Sequence, residues 1–134
     1  MSVENWDPNA GAAARLDDRA LRRLLEAAGR LNELRFGLDA AAAGDLAPLA
    51  RDGAGVDWAA AGEPLSDADI VALIRLFTRA EKVLAGWESG DASPVIALAR
   101  ELKRRGRYPA ELTAWIRANS DNRFLPYGNL MDRL

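Results

Sequence analysis

Apolar residues recur along this chain at helical intervals, and the first clear run spans residues 16–38. Leu21, Leu24, Ala28, Leu31 and Leu38 fall 3, 4, 3 and 7 residues apart, with Leu25 and Leu34 beside the stripe. Arg15, Arg19, Arg22, Glu26 and Arg30 occupy the opposite face. This pattern predicts an amphipathic helix. Gly29 lies inside it, at a cost of about 1 kcal/mol relative to Ala, and as a Gly it admits close approach of another helix. Gly37 is a natural end point.

The strongest pattern runs from 67 to 87. Ser66 precedes it, with Asp69 three residues on, in the manner of a capping box. With Ile70 at the origin of a 100° wheel, Ile70, Leu73, Leu76, Phe77, Ala80, Val83, Leu84 and Trp87 share one broad arc. Arg75, Thr78, Arg79, Lys82 and Gly86 fall on the other. An apolar arc this wide predicts a central helix with more than one neighbour. Ser93-Pro94 reads as an N-cap followed by Pro at the first helical position, opening a helix to Arg105 that Gly106 terminates. Its inward positions are Val95, Leu98, Ala99 and Leu102. Pro109 opens a last helix, 109–119, with Leu112, Trp115 and Ile116 inward.

The remaining segments are irregular. Residues 1–14 form an arm containing Trp6 and Pro8. Residues 39–64 read as a connector, with a short Ala-rich helix from Asp45 to Arg51, a loop at Asp52-Gly53 and a helical turn at Trp58. Residues 120–134 form an apolar, irregular tail containing Phe124-Leu125-Pro126-Tyr127. β-branched residues are scarce and alternating stretches are absent. The expected class is all-α: an irregular bundle of four to five helices in one domain over residues 1–134.

Composition narrows the chemistry. The chain has 134 residues, a net charge of −2, no Cys and no His. Within it there is no disulfide, no thiolate or imidazole metal ligand, no Cys nucleophile and no Ser-His-Asp triad. Phosphate-binding glycine loops are also absent. The acidic pairs Asp17-Asp18 and Asp67/Asp69 sit at helix starts, where the dipole favours anions, and lack the ligand density of a calcium loop. No cofactor and no metal are expected. No apolar run is long enough to span a bilayer, and the first residues lack the pattern of a secretion signal, so the expected location is the cytoplasm. Sixteen of the basic residues are Arg, a bias consistent with a GC-rich bacterial genome. Residues 1–65 carry a net −4 and residues 66–134 a net +2, an asymmetry that could bring two copies together head to tail.

Four features carry functional expectations. Glu81 falls inside the apolar arc, where an ionised carboxylate needs a partner. Arg117 or Arg123 is the expected one, and an acid–base or ligand-binding role in an internal pocket is the alternative. Lys103, Arg104, Arg105 and Arg107 end one helix and precede another, so residues 94–119 outline a helix-turn-helix that could contact nucleic acid; cations capping a helix C-terminus are the simpler account. Trp6 and Trp58 sit in weakly patterned segments and serve either as staples or as anchors for a partner. Phe124, Leu125 and Tyr127 either fold back on the bundle or dock on another chain. Together these features suggest a small helical protein that binds another protein, as an adaptor, accessory subunit or regulator, with homodimerisation through a helix face as one form. Enzymatic function has no positive support in the sequence.

Overall fold

A computed structural model describes residues 16–53 and 56–125. Its helices are α1 (Asp18–Ala28), α2 (Ala40–Leu46), α3 (Trp58–Gly62), α4 (Asp67–Val83), α5 (Pro94–Arg105) and α6 (Leu112–Asn119). Short 3-10 turns cover Leu34–Gly37, Ala47–Ala50 and Gly90–Ala92. The described residues contain no strand, so the fold is the expected all-α bundle, with α2 and α3 as short pieces inside the connector.

Side-chain caps set most helix starts. The carboxylates of Asp17, Asp39 and Asp57 accept from the backbone N–H groups of Ala20, Ala42 and Ala60, and Ser66 Oγ accepts from that of Asp69. Each bond satisfies a donor that the first turn leaves free. Ser93 and Pro94 open α5, and Gly106 closes it at φ 70° in the left-handed region, as the sequence predicts.

Helix α4 is the hub. Ile70, Leu73, Ile74, Leu76, Phe77, Thr78 and Ala80 are all buried on it, and α1, α5 and α6 pack around it. Thr78 departs from its expected polar face. It is fully buried, and its Oγ1 donates to Ile74 O at 2.7 Å, so its hydroxyl group is not left unpaired. Val83 departs in the other direction and is 45% exposed. The helix also stops four residues early. Leu84 is extended and Gly86 turns at φ 87°, which returns Trp87 to the core from outside the helix.

The connector belongs to the core. Ala43, Leu46, Leu49, Ala50, Val56 and Trp58 are buried in the same cluster as α4. The predicted helix at 45–51 is instead α2 at 40–46 followed by a 3-10 turn carrying Pro48. Asp39 supplies the earlier cap, and Pro48 has no N–H to continue the α-helical pattern. Trp58 packs edge-on against Phe77 with centroids 5.2 Å apart, and Phe77 meets Trp87 at 6.2 Å. Trp58 Nε1 donates to Leu49 O at 2.9 Å and Trp87 Nε1 to Ala43 O at 3.0 Å. The close helix approach is made at Gly62, where an added Cβ would lie 2.9 Å from Leu98 Cδ2. Gly29 is the exposed C-cap of α1.

That cap ends α1 well before residue 38. Beyond it, Arg35 and Phe36 adopt φ 52° and 56°, followed by Gly37 at 74°. Left-handed backbone costs a residue with a Cβ roughly 1–2 kcal/mol. The turn drops Phe36 into the core at 1% exposure and leaves Leu34 outside at 87%. Arg79 of α4 clips it, donating from Nη1 to Leu31 O at 3.1 Å and lying 5.9 Å above the Phe36 ring. Arg35 is exposed and has no ion pair among the described residues. Arg35→Gly therefore removes strain without removing a contact, and we expect it to stabilise the fold by about 0.5–1 kcal/mol, measured as a higher urea midpoint with unchanged slope.

Candidate functional site

Glu81 sits where α4 meets the segment that leaves α6. Its Oε2 accepts from the backbone N–H groups of Ser89 and Gly90 at 2.9 and 3.1 Å. Asn122 Nδ2 lies 3.2 Å from both carboxylate oxygens and donates to Gly90 O at 2.8 Å. The donors that meet the carboxylate are thus two backbone groups and an amide, in place of the expected arginine. The neighbouring pair Lys82–Asp121, 3.6 Å apart, adds a second tie between α4 and residues 120–122.

Around Glu81 lies an open cleft of about 520 Å³ lined by Lys82, Glu88, Gly90, Ser120, Asp121, Asn122 and Arg123. Its polar groups are largely engaged with one another. Glu88 Oε1 accepts from Gly86 N–H, and Ser120 Oγ from Asn122 N–H. Among the described residues no three acidic groups gather so as to hold a metal ion. The cleft's chemistry is that of a latch on the chain end. Glu81→Ala would strand the Ser89 and Gly90 donors and free Asn122. We expect a loss of about 1–3 kcal/mol and faster tryptic cleavage after Arg123 under native conditions, read by mass spectrometry.

Of the basic cluster at the end of α5, Arg105 is drawn into the fold, whereas Arg104 and Arg107 stay largely exposed. Glu101, 8% exposed, accepts from Arg104 Nε and Nη2 and from Arg105 Nε. Arg105 reaches further, donating to Asp67 Oδ1 at 2.8 Å, Gly62 O at 3.2 Å and Glu63 O at 2.9 Å. Arg107 lies 3.7 Å from the other Asp67 oxygen, and Lys103 stands 4.9 Å above the Tyr108 ring. Arg105, with Arg107 beside it, ties the end of α5 to the ends of α3 and α4. Helix α6 begins at Leu112, three residues later than Pro109 suggests, and its buried positions are Leu112 and Ile116. Trp115 is half-buried beneath Arg75, 5.4 Å from ring centroid to guanidinium carbon.

Hydrogen bonds from Arg104 and then Arg105 hold the Glu101 carboxyl down at about 2, from an ordinary 4.5. A carboxylate depressed in the folded state contributes its stability above the unfolded value, and loses it as pH falls from about 4.5 towards about 2. Glu101→Gln should consequently trail the parent protein at pH 7. The gap in urea midpoint should close as the pH is lowered to about 2.5.

The aromatic candidates divide. Trp58 is fully enclosed and belongs to the core, not to a surface anchor. Leu125 is 1% exposed and folds back on the bundle, whereas Phe124 beside it is 40% exposed with Arg123 5.7 Å above its ring. Leu125 belongs to the core cluster, and its N–H donates to the carbonyl of Asn122, the residue tied to Glu81. Trp6 and Tyr127 lie outside the described residues. Sequence reasoning passed over Leu34, the most exposed large apolar side chain described. Its signal was present: it fell beside the hydrophobic stripe, not on it. No described helix is long and apolar enough to cross a membrane.

No protein-family model matches the chain, and no curated protein or solved structure matches it.

Proposed function

We propose that this protein works in the bacterial cytoplasm by binding another protein, as an adaptor, accessory subunit or regulator, and that Leu34 is its anchor. The observation that carries this reading is the turn at 34–37. Two non-glycine residues hold left-handed backbone there, and a leucine stands 87% exposed at its first position. Both arrangements are unfavourable in isolation, and strained turns of this kind cluster at binding sites. The turn is also held in place: Phe36 fills the core on one side and Arg79 clips Leu31 O on the other. A partner meets a preformed apolar knob, so little ordering cost is incurred on contact. Val83, one turn along α4 from Arg79, and Phe124 are the other large apolar side chains exposed among the described residues.

The test is site-specific photo-crosslinking in the native host. A benzophenone side chain at position 34 should give a discrete, nuclease-resistant protein adduct, and one at exposed Ala110 should not. An adduct at twice the chain mass would identify the partner as a second copy. Leu34→Ser should leave stability within about 0.5 kcal/mol, as surface substitutions do, and weaken capture of the same partner. A folded protein with no adduct at position 34 beyond that at 110 removes the reading.

A further inference from the structure

The outward strip of α4 carries Arg75, Arg79 and Lys82 on successive turns, and the other α4 carboxylates lie elsewhere. Asp67 is held by Arg105, Glu81 by Ser89 and Gly90, and Asp69 belongs to the first turn. Lys82 has Asp121 as its ion-pair partner. Arg75 and Arg79 have none among the described residues. The same is true of Arg19, Arg22 and Arg23 on α1, which packs against α4.

These two arginines differ from a solvated charge run. Each is half-buried, and each guanidinium is seated over an aromatic ring: Arg75 over Trp115 at 5.4 Å and Arg79 over Phe36 at 5.9 Å. Arg75 Nε is buried and has no hydrogen-bond partner. Nε is therefore closed to a partner, and the terminal Nη groups are the part of Arg75 open to a carboxylate from outside. Arginine also presents its donors as a planar fork that fits a carboxylate in two bonds.

We infer that this strip recognises an acidic segment of the partner protein, with carboxylates received by Arg75 and Arg79 beside the Leu34 knob. The inference rests on the partner-binding reading and gives the partner's chemistry. One helical turn separates the two arginines, about 6 Å along the axis. Carboxylates at i and i+4 of a helix, or i and i+2 of a strand, have closely similar spacing. Arg79 joins the two halves of the surface, since it stands one turn from Arg75 and, half-buried over Phe36, clips the turn that presents Leu34. Nucleic acid is the less suitable polyanion. A phosphate backbone is held through a broad basic field, which a chain of net −2 and pI near 5.2 does not supply, whereas two forked guanidiniums one turn apart suit a local pair of carboxylates.

The experiment uses the full chain and a fluorescein-labelled peptide of twelve glutamates, with labelled dT12 as the alternative anion, read by fluorescence anisotropy at low salt. The protein should bind the peptide more tightly than dT12. Arg75→Gln should weaken that binding about tenfold, the value of one lost charge-assisted contact. Arg75→Lys, which keeps the charge and loses the fork, should fall between. Arg100→Gln makes the same charge change at an exposed site on α5 and should move it less than twofold. Absence of peptide binding, equal losses in Arg75→Gln and Arg100→Gln, or tighter binding of dT12 would each overturn the inference. A position-34 crosslink that persists in any of those cases leaves the partner-binding reading standing without its acidic contact.

Discussion

Three aromatic rings hold the two halves of this protein together. Phe77, in the middle of α4, touches Trp58 on one side and Trp87 on the other. Each indole N–H is spent on a carbonyl of the connector, at Leu49 and Ala43. The rings remove a large apolar area from water, and the two hydrogen bonds fix where the connector's backbone lies. Without them, the Ala-rich pieces at 40–50 and 58–62 have little side-chain bulk of their own with which to define a position. Gly62 completes the arrangement by letting α3 settle directly on Leu98.

Charge plays a second, more local part. Glu81 gathers backbone donors from the loop after α4 and the amide of Asn122, so the loop and the chain end close over one carboxylate. Glu101 gathers Arg104 and Arg105, and through Arg105 the C-terminal half of α5 reaches the carbonyls of Gly62 and Glu63 and the start of α4. In both places a carboxylate serves as a polar junction between elements, and at Glu101 it reinforces helices that are already closely packed. What is left outside these junctions includes Arg75 and Arg79 on α4 and the Leu34 turn, the surface proposed above to meet a partner.

The helices were legible because local rules decided them. Ser66, Ser93, Pro94 and Gly106 act on their immediate neighbours, so their spacing alone places the start of α4 and both ends of α5. The wide apolar arc of α4 correctly marked it as central. Long-range interactions decided what was misjudged. The connector looked weak because alanines carry little pattern, yet Trp58 pulls it into the core. The stripe through Leu38 suggested one long helix, but burial of Phe36 and the clip from Arg79 outweigh the strain of a left-handed turn. Glu81 was recognised as a carboxylate in need of partners, but backbone N–H groups are invisible to a search for cations. The cluster at 103–107 was plain in the sequence, as was the helical spacing that pairs Arg104 and Arg105 with Glu101, but its engagement by Asp67 was not, because Asp67 lies on another helix.

The position of α4 also bears on how the chain is made. It is the wall against which α1, α5 and α6 pack, and it begins only at residue 67. A nascent chain that has emerged as far as residue 65 therefore carries half the protein's length with its apolar faces still unopposed. Trp58 leaves the ribosome before Phe77, and Ala43 long before the indole of Trp87 that will bind it. Folding of the first half during synthesis must wait for the second. Translation speed through residues 67–87 sets how long that interval lasts.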